Sequence, residues 1–264
     1  MGLGIIGGGV MGEALLSRLL ELGVYTPASV WVSNPREARR SVLATQYGVH
    51  VTADNQAVAD TAQVLLLAVK PQMFRVVVSS LTVPNAETLV ISILAGTSLQ
   101  MLETAFPDQP VIRAMPNTPS TVGAGMTAIA AGRQVRPHHL QVARQLFEAV
   151  GEVVELPEAL IDAATGVSGS GPAYVALMVE ALSDGGVAAG LPRAIATQLA
   201  IQTVRGTAEL LHTTGMHPAE LKDRVASPGG TTIAGVAQLE KFGFRSALIE
   251  AVKASYLRSK ELGN

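Results

Sequence analysis

Short apolar runs alternate with helix-like segments through the first 155 residues, and after about Pro157 such runs cease. Residues 3–6, 30–33, 50–52, 64–69, 89–93 and 111–114 read as strands. Several contain no polar residue, as expected of strands covered on both faces of a sheet. The best-marked helix between them spans residues 35–46. Asn34 stands where a cap belongs, Pro35 suits the first turn, Glu37 follows three residues after Asn34, and Gly48 lies just past the end. Consecutive parallel strands need a crossover, so this rhythm predicts a parallel, doubly wound α/β sheet. Residues 158–165, 173–189, 192–214, 218–226 and 232–262 then read as helices. Gly171-Pro172, Gly190-Leu191-Pro192, His217-Pro218 and Ser227-Pro228-Gly229-Gly230 punctuate them. The chain is expected to divide at 156/157, into a sheet-bearing domain over residues 1–156 and a helical one over 157–264.

Charge and composition remove several classes of function. The formal net charge is −2, which argues against a nucleic-acid binder, since such proteins carry a basic excess or patch. Charged residues form 15% of the chain, against roughly 25% in an average globular protein. A surface so poor in charge is expected to be covered in part by another subunit. Cysteine is absent, so disulfides, thiolate zinc sites and cysteine nucleophiles are excluded, and no metal site is expected. The N-terminal residues lack the basic lead and cleavage site of a signal peptide. The uncharged stretch 114–132 contains Pro116, Asn117 and Pro119, which a bilayer-spanning helix would rarely combine. No membrane association is expected, and the location expected is cytoplasmic.

Gly7-Gly8-Gly9-Val10-Met11-Gly12 fits G-x-G-x-x-G, directly after the first strand and at the mouth of a helix over residues 11–22. Glycines there permit a tight turn and let a pyrophosphate approach helix-terminal N–H groups. A plain connecting turn is the competing reading, but the register against strand and helix favours a dinucleotide. The second strand should end at the adenosine ribose, where an NAD site usually has Asp or Glu. Here the residues are Ser33-Asn34-Pro35-Arg36. A hydroxyl, a helix start and a guanidinium are available for a 2′-phosphate, so NADPH is favoured and NADH remains possible.

A second anion site is readable in Ser227-Pro228-Gly229-Gly230-Thr231-Thr232. Two glycines before a helix leave N–H groups free, and hydroxyls surround them, which suits a small carboxylate. A Pro-Gly turn with a threonine cap is the alternative. Dehydrogenases that act on hydroxyl groups usually need His or Lys to handle the proton. His50, His138, His139, His212 and His217 show no arrangement with Asp. A cyclic imine asks for less, because its protonated form already accepts hydride at carbon. The protein then needs to align the ring, hold its carboxylate and hydrogen-bond its nitrogen. The Thr232 hydroxyl is a candidate for the last task.

On these residues the chain resembles the pyrroline-5-carboxylate reductases, from its first strand to its last helix. The resemblance is carried by Gly7-Gly8-Gly9-Val10-Met11-Gly12, Ala68-Val69-Lys70-Pro71-Gln72 and Arg113-Ala114-Met115-Pro116-Asn117-Thr118-Pro119. It continues through Gly166-Val167-Ser168-Gly169-Ser170-Gly171-Pro172-Ala173-Tyr174 and, most specifically, Leu221-Lys222-Asp223-Arg224-Val225-Ala226-Ser227-Pro228-Gly229-Gly230-Thr231-Thr232-Ile233. It implies a Rossmann-type doubly wound sheet followed by an all-helical dimerisation domain. It also implies reduction of L-1-pyrroline-5-carboxylate to L-proline by hydride from NAD(P)H, the last step of proline biosynthesis. Asn55, Ala68, Val69, Lys70, Pro71, Ile93, Leu94 and Ala95 would then line the cofactor, with Met115 and Asn117 near the nicotinamide. Ser227, Gly230, Thr231 and Thr232 would hold the substrate carboxylate and ring nitrogen. Relatives pair through the helical domain, which implies a homodimer or a larger ring of dimers with the active site where two chains meet. Ser168 and Ser170 read first as packing residues. Two rivals share parts of this pattern. A β-hydroxyacid dehydrogenase or imine reductase has the same domain order, but the former would place a Lys soon after the Gly-Ser-Gly segment, where residues 172–179 have none. A non-catalytic NADP-binding regulator would be expected to lack the 227–232 loop.

Overall fold

The computed structural model describes residues 2–262. Eight strands form one sheet: β1 (Leu3–Ile6), β2 (Val30–Ser33), β3 (His50–Thr52), β4 (Val64–Leu67), β5 (Leu89–Ser92), β6 (Val111–Met115), β7 (Gly125–Ala131) and β8 (Gly151–Glu155). Their spatial order is β3-β2-β1-β4-β5-β6-β7-β8. Neighbours are parallel except β6 and β7, where Arg113 faces Ala130 in an antiparallel register. Leu3 is paired with Val30 on one side and Val64 on the other, so the winding reverses at β1. Helices α1 (Val10–Glu21), α2 (Glu37–Tyr47), α3 (Asn55–Thr61), α4 (Phe74–Val78), α5 (Leu99–Ala105) and α6 (Pro137–Glu148) connect the strands. They are followed by α7 (Ile161–Ala164), a π turn (Thr165–Gly169), α8 (Gly171–Ala188), α9 (Arg193–Thr214), α10 (Pro218–Val225), α11 (Thr231–Lys241) and α12 (Phe244–Leu262).

Alternate strand residues enter opposite cores, as the twofold period of a strand requires. Ile5, Leu66, Ile91 and Ile112 pack with Leu15, Leu19, Leu43 and Phe147 on one face. Ile6, Leu65, Leu67 and Val90 pack with Phe74, Leu102 and Phe106 on the other. Burial on both faces is why β1 and β4 read as unbroken apolar runs.

Three local differences from the sequence reading have physical causes. Strands β7 and β8 were not expected. The first is rich in Gly and Ala, and the second is an edge strand with exposed Glu152 and Glu155. Helix α2 starts at Glu37, later than expected. The N–H of Asn34 donates to the Thr52 carbonyl, extending the sheet, while its Oδ1 accepts the Arg36 N–H at 3.0 Å. Asn34 therefore closes the turn before the helix instead of capping the helix. Finally, residues 232–262 are two helices, because Gly243 at φ +72° breaks the chain direction between α11 and α12.

The chain forms two compact units, Met1–Ser170 with Ala254–Asn264, and Gly171–Lys253. In the second, α8 and α9 approach closely where Gly186 meets Ala196. Its buried apolar side chains are only Ala196 and Ala200, while Leu177 is 67% and Phe242 79% exposed. Among the described residues no helix is long and apolar enough to cross a membrane.

Candidate functional site

The glycine turn joins the carboxyl end of β1 to α1, at the point where the strand order reverses, the usual place for a ligand in such sheets. Gly7 has φ +109°, and a Cβ there would lie 2.5 Å from the Ala68 carbonyl oxygen. A Cβ on Gly12 would lie 2.4 Å from the Gly7 oxygen, so this glycine lets helix and strand pack. Beside Gly9, by contrast, there is open space out to 4 Å. The N–H groups of Gly7 and Gly8 donate to the Ser33 carbonyl. Those of Val10, Met11 and Gly12 precede the first helical bond, from Glu13 N–H to the Gly9 carbonyl, and are free by position. A tight turn, an open approach and an unbonded helix start together fit a pyrophosphate. Arg39, which the sequence reading did not single out, donates to the Gly8 carbonyl at 2.7 Å and pairs with Glu13. Its place on the buried side of α2 leaves no signal in sequence.

At the end of β2 the residues divide their work differently from expectation. Ser33 is 1% exposed, and its hydroxyl donates to Asn55 Oδ1 at 2.7 Å. It orients Asn55 and offers no open hydroxyl to a phosphate. Arg40 donates to the Asn34 and Pro35 carbonyls. Arg36 is exposed and, among the described residues, makes no ion pair, so its guanidinium is the available cation.

The next carboxyl ends lie along the same edge. Ala68 N–H donates to the Ile6 carbonyl at 2.8 Å, placing Ala68 and Val69 against the glycine turn. Lys70 is exposed and precedes a 3-10 turn begun by Pro71. After β5, Ile93 N–H donates to the Leu67 carbonyl and Leu94 N–H to Ser92 Oγ, with half-buried Ala95 following. Met115 ends β6, with its Cε near the backbone of Gly169. Asn117 is nearly buried; its Oδ1 accepts the Met126 N–H, and its Nδ2 donates to the Ser168 carbonyl in the π turn, both at 2.9 Å. Its amide thus ties β7 to that turn. Ser168 Oγ donates to the Ala164 carbonyl and Ser170 meets Ser255 at 2.7 Å, so both serines serve packing.

The loop before α11 belongs to the helical unit. Gly229 has φ +65°, and a Cβ on Gly230 would lie 2.2 Å from Ser227 Oγ. Gly230 is the N-terminal cap, and no side chain caps the helix. Thr231 and half-buried Thr232 occupy the first two helical positions, so Thr232 is not a cap. The first helical bond closing the loop is from Ala234 N–H to the Gly230 carbonyl, which leaves the N–H groups of Thr231, Thr232 and Ile233 free by position.

Several histidines serve structure. His217 Nδ1 accepts the Ala219 N–H at the start of α10, His139 Nδ1 accepts the Arg136 N–H, and His50 stacks on Trp31. Burial, with neighbouring His138, holds the His139 imidazole below its ordinary pKa.

Sheet order, glycine turn and helical second unit define a nicotinamide-dinucleotide oxidoreductase of two compact units. The family model described as NADP oxidoreductase, coenzyme F420-dependent, matches residues 2–96, and that described as pyrroline-5-carboxylate reductase dimerisation matches 158–262. A Synechocystis pyrroline-5-carboxylate reductase is 64% identical over 261 residues, covering 99% of this chain and 98% of that protein. The chain belongs to the pyrroline-5-carboxylate reductase family. Among solved structures, the Coxiella burnetii pyrroline-5-carboxylate reductase superposes with a TM-score of 0.91 at 35% identity, covering 99% of this chain and 98% of that one. The Plasmodium falciparum pyrroline carboxylate reductase with NADP bound also reaches 0.91, at 30% identity, covering 100% and 98%.

Proposed function

We propose that this chain reduces L-1-pyrroline-5-carboxylate to L-proline with NAD(P)H, as the last step of proline biosynthesis. Family membership supports the reaction, and the observation that carries the mechanism is the uncapped start of α11 beside two glycines. The nicotinamide, when bound, supplies a hydride to the carbon of the ring C=N bond. Gly9, Val10, Met11 and Gly12 hold the pyrophosphate through free N–H groups and the helix dipole. Ala68, Val69, Lys70 and Pro71, with Ile93, Leu94 and Ala95, line the dinucleotide along the sheet edge, and Met115 flanks its reactive end. Asn117 positions the segment there instead of contacting the ring. Ser227 and the free N–H groups of Thr231 and Thr232 receive the substrate carboxylate, while Gly230, whose own N–H donates to the Ser227 carbonyl at 3.0 Å, closes the loop beside it. The Thr232 hydroxyl hydrogen-bonds the ring nitrogen, where positive charge falls as the carbon takes hydride.

NADPH is the preferred reductant in this reading, because residues 33–36 contain no carboxylate and the exposed Arg36 makes no ion pair among the described residues. Asn34 shapes the turn that presents Arg36, and Ser33 acts through Asn55. The working unit is a homodimer or a ring of dimers, located in the cytoplasm. Oxidation of NADPH with pyrroline-5-carboxylate, set against hydroxy acids and other cyclic imines, tests the assignment. Turnover of hydroxy acids alone, or binding of NADPH with no turnover of any imine, would overturn it.

A further inference from the structure

The loop after β5, residues 93–97, is held from behind by charged groups that the reaction does not use. Arg113 on β6 has its side chain 7% exposed, and its guanidinium reaches Glu158 at 3.3 Å and Asp162 at 2.9 Å. The Glu158 oxygen that meets Arg113 also accepts the Leu99 N–H at 2.6 Å, at the first residue of α5. Glu158 thereby secures the downstream end of the loop. Asp162 accepts from the Ser259 hydroxyl at 2.9 Å, in the last turns of α12. The same end of α12 lies against the loop, since a Cβ on Gly96 would be 2.9 Å from the Leu262 carbonyl oxygen. Gly96 also has φ +72°, so it accepts this contact where another residue would be strained. One ion group therefore reaches the loop by two routes, through the start of α5 and through the end of α12. All these residues lie in the sheet-bearing unit.

A buried guanidinium between two carboxylates contributes little net stability over apolar packing, because desolvation offsets the attraction. Its consequence is geometric: it holds three elements at fixed separations. We propose that Arg113, Glu158 and Asp162 are positioning residues that set the β5–α5 loop for the dinucleotide. The proposal rests on the reading above, in which Ile93, Leu94 and Ala95 line the cofactor. Contacts that orient a binding segment act on affinity when lost, even though they touch no ligand.

Direct titration with NADPH and steady-state kinetics test it with three variants. Glu158→Ala removes the acceptor for Leu99, and the NADPH dissociation constant is expected to rise about tenfold. At saturating NADPH, kcat and the KM for pyrroline-5-carboxylate should stay within about twofold, because the chemistry is untouched. Glu158→Gln keeps an acceptor at the same place and should restore most of the affinity. Ala95→Leu enlarges the loop itself and should weaken NADPH binding directly. Unchanged binding in Ala95→Leu would show that the loop does not line the cofactor, and the premise would fail. Weakened binding there, with a lowered melting temperature but unchanged NADPH affinity in Glu158→Ala, would make the ion group merely structural and overturn the proposal. Equal loss in Glu158→Ala and Glu158→Gln would also overturn it.

Discussion

Gly7 is both left-handed in φ and in contact with the Ala68 carbonyl, so no side chain fits there without moving β1 from β4. Gly7→Ala should cost about 3 kcal/mol or more, seen as a lowered urea midpoint, with loss of NADPH binding. Arg36 is a cleaner probe of cofactor choice than Ser33, whose burial would confound an acidic substitution. Arg36→Glu should shift the NADPH-to-NADH ratio of kcat/KM toward NADH by about ten- to a hundredfold. A ratio that does not move would remove Arg36 from the 2′-phosphate site. Thr232→Val keeps the shape and leaves the Gly230 cap intact, so the melting temperature should hold. If the hydroxyl contact strengthens as hydride arrives, kcat should fall about ten- to a hundredfold, more than substrate affinity does. His139 gives a pH signature. Its folded pKa lies below the ordinary 6.5, chiefly through burial and then through His138. The unfolded chain therefore binds a proton first as pH falls. The stability from neutral His139 is complete above 6.5 and is lost as pH drops from there toward the folded value. Thermal melts across that window should flatten in His139→Gln.

Among the elements, the π turn shows how a side chain takes a role that local pattern cannot announce. Thr165 accepts the Ser170 N–H across five residues, and the Asn117 amide bridges this turn to β7. Asn117→Ala would leave the Ser168 carbonyl and the Met126 N–H without that partner. It should cost about 1–3 kcal/mol in equilibrium unfolding, without abolishing the fold. The motif around Asn117 marks the residue in the sequence, but a buried bridge and a ligand contact look alike there. The ends of elements follow the same rule. Apolar runs located strands such as β1 and β4 because each is buried on both faces. Strand β7 carries little strand signal in the sequence because it is rich in Gly and Ala, and its partnership with β6 is antiparallel. A connection of residues 116–124, containing the turn Thr118–Val122, replaces the usual crossover helix and makes that reversal possible.

For the whole molecule, low charge and a helical unit with exposed Leu177, Leu182, Leu199, Leu239 and Phe242 describe a surface that water does not favour. The dimerisation model matched over 158–262 agrees with that surface having a protein partner. Light scattering is expected to show a dimer or larger at micromolar concentration. A stable, active monomer would contradict this expectation. Sequence by itself determined the α/β order, the strand-turn-helix glycine motif and the helical second half. These depend on periodicity and on backbone conformations that few residues supply, which act over short stretches of chain. Family motifs then narrowed the chemistry. Only the tertiary structure decided that Ser33 faces Asn55, that Asn117 bridges two elements, and that Arg113 meets carboxylates some 45 and 49 residues away. Those partners are distant along the chain, and what selects them is burial: a polar group removed from water must find a hydrogen-bond partner among whatever the fold brings beside it.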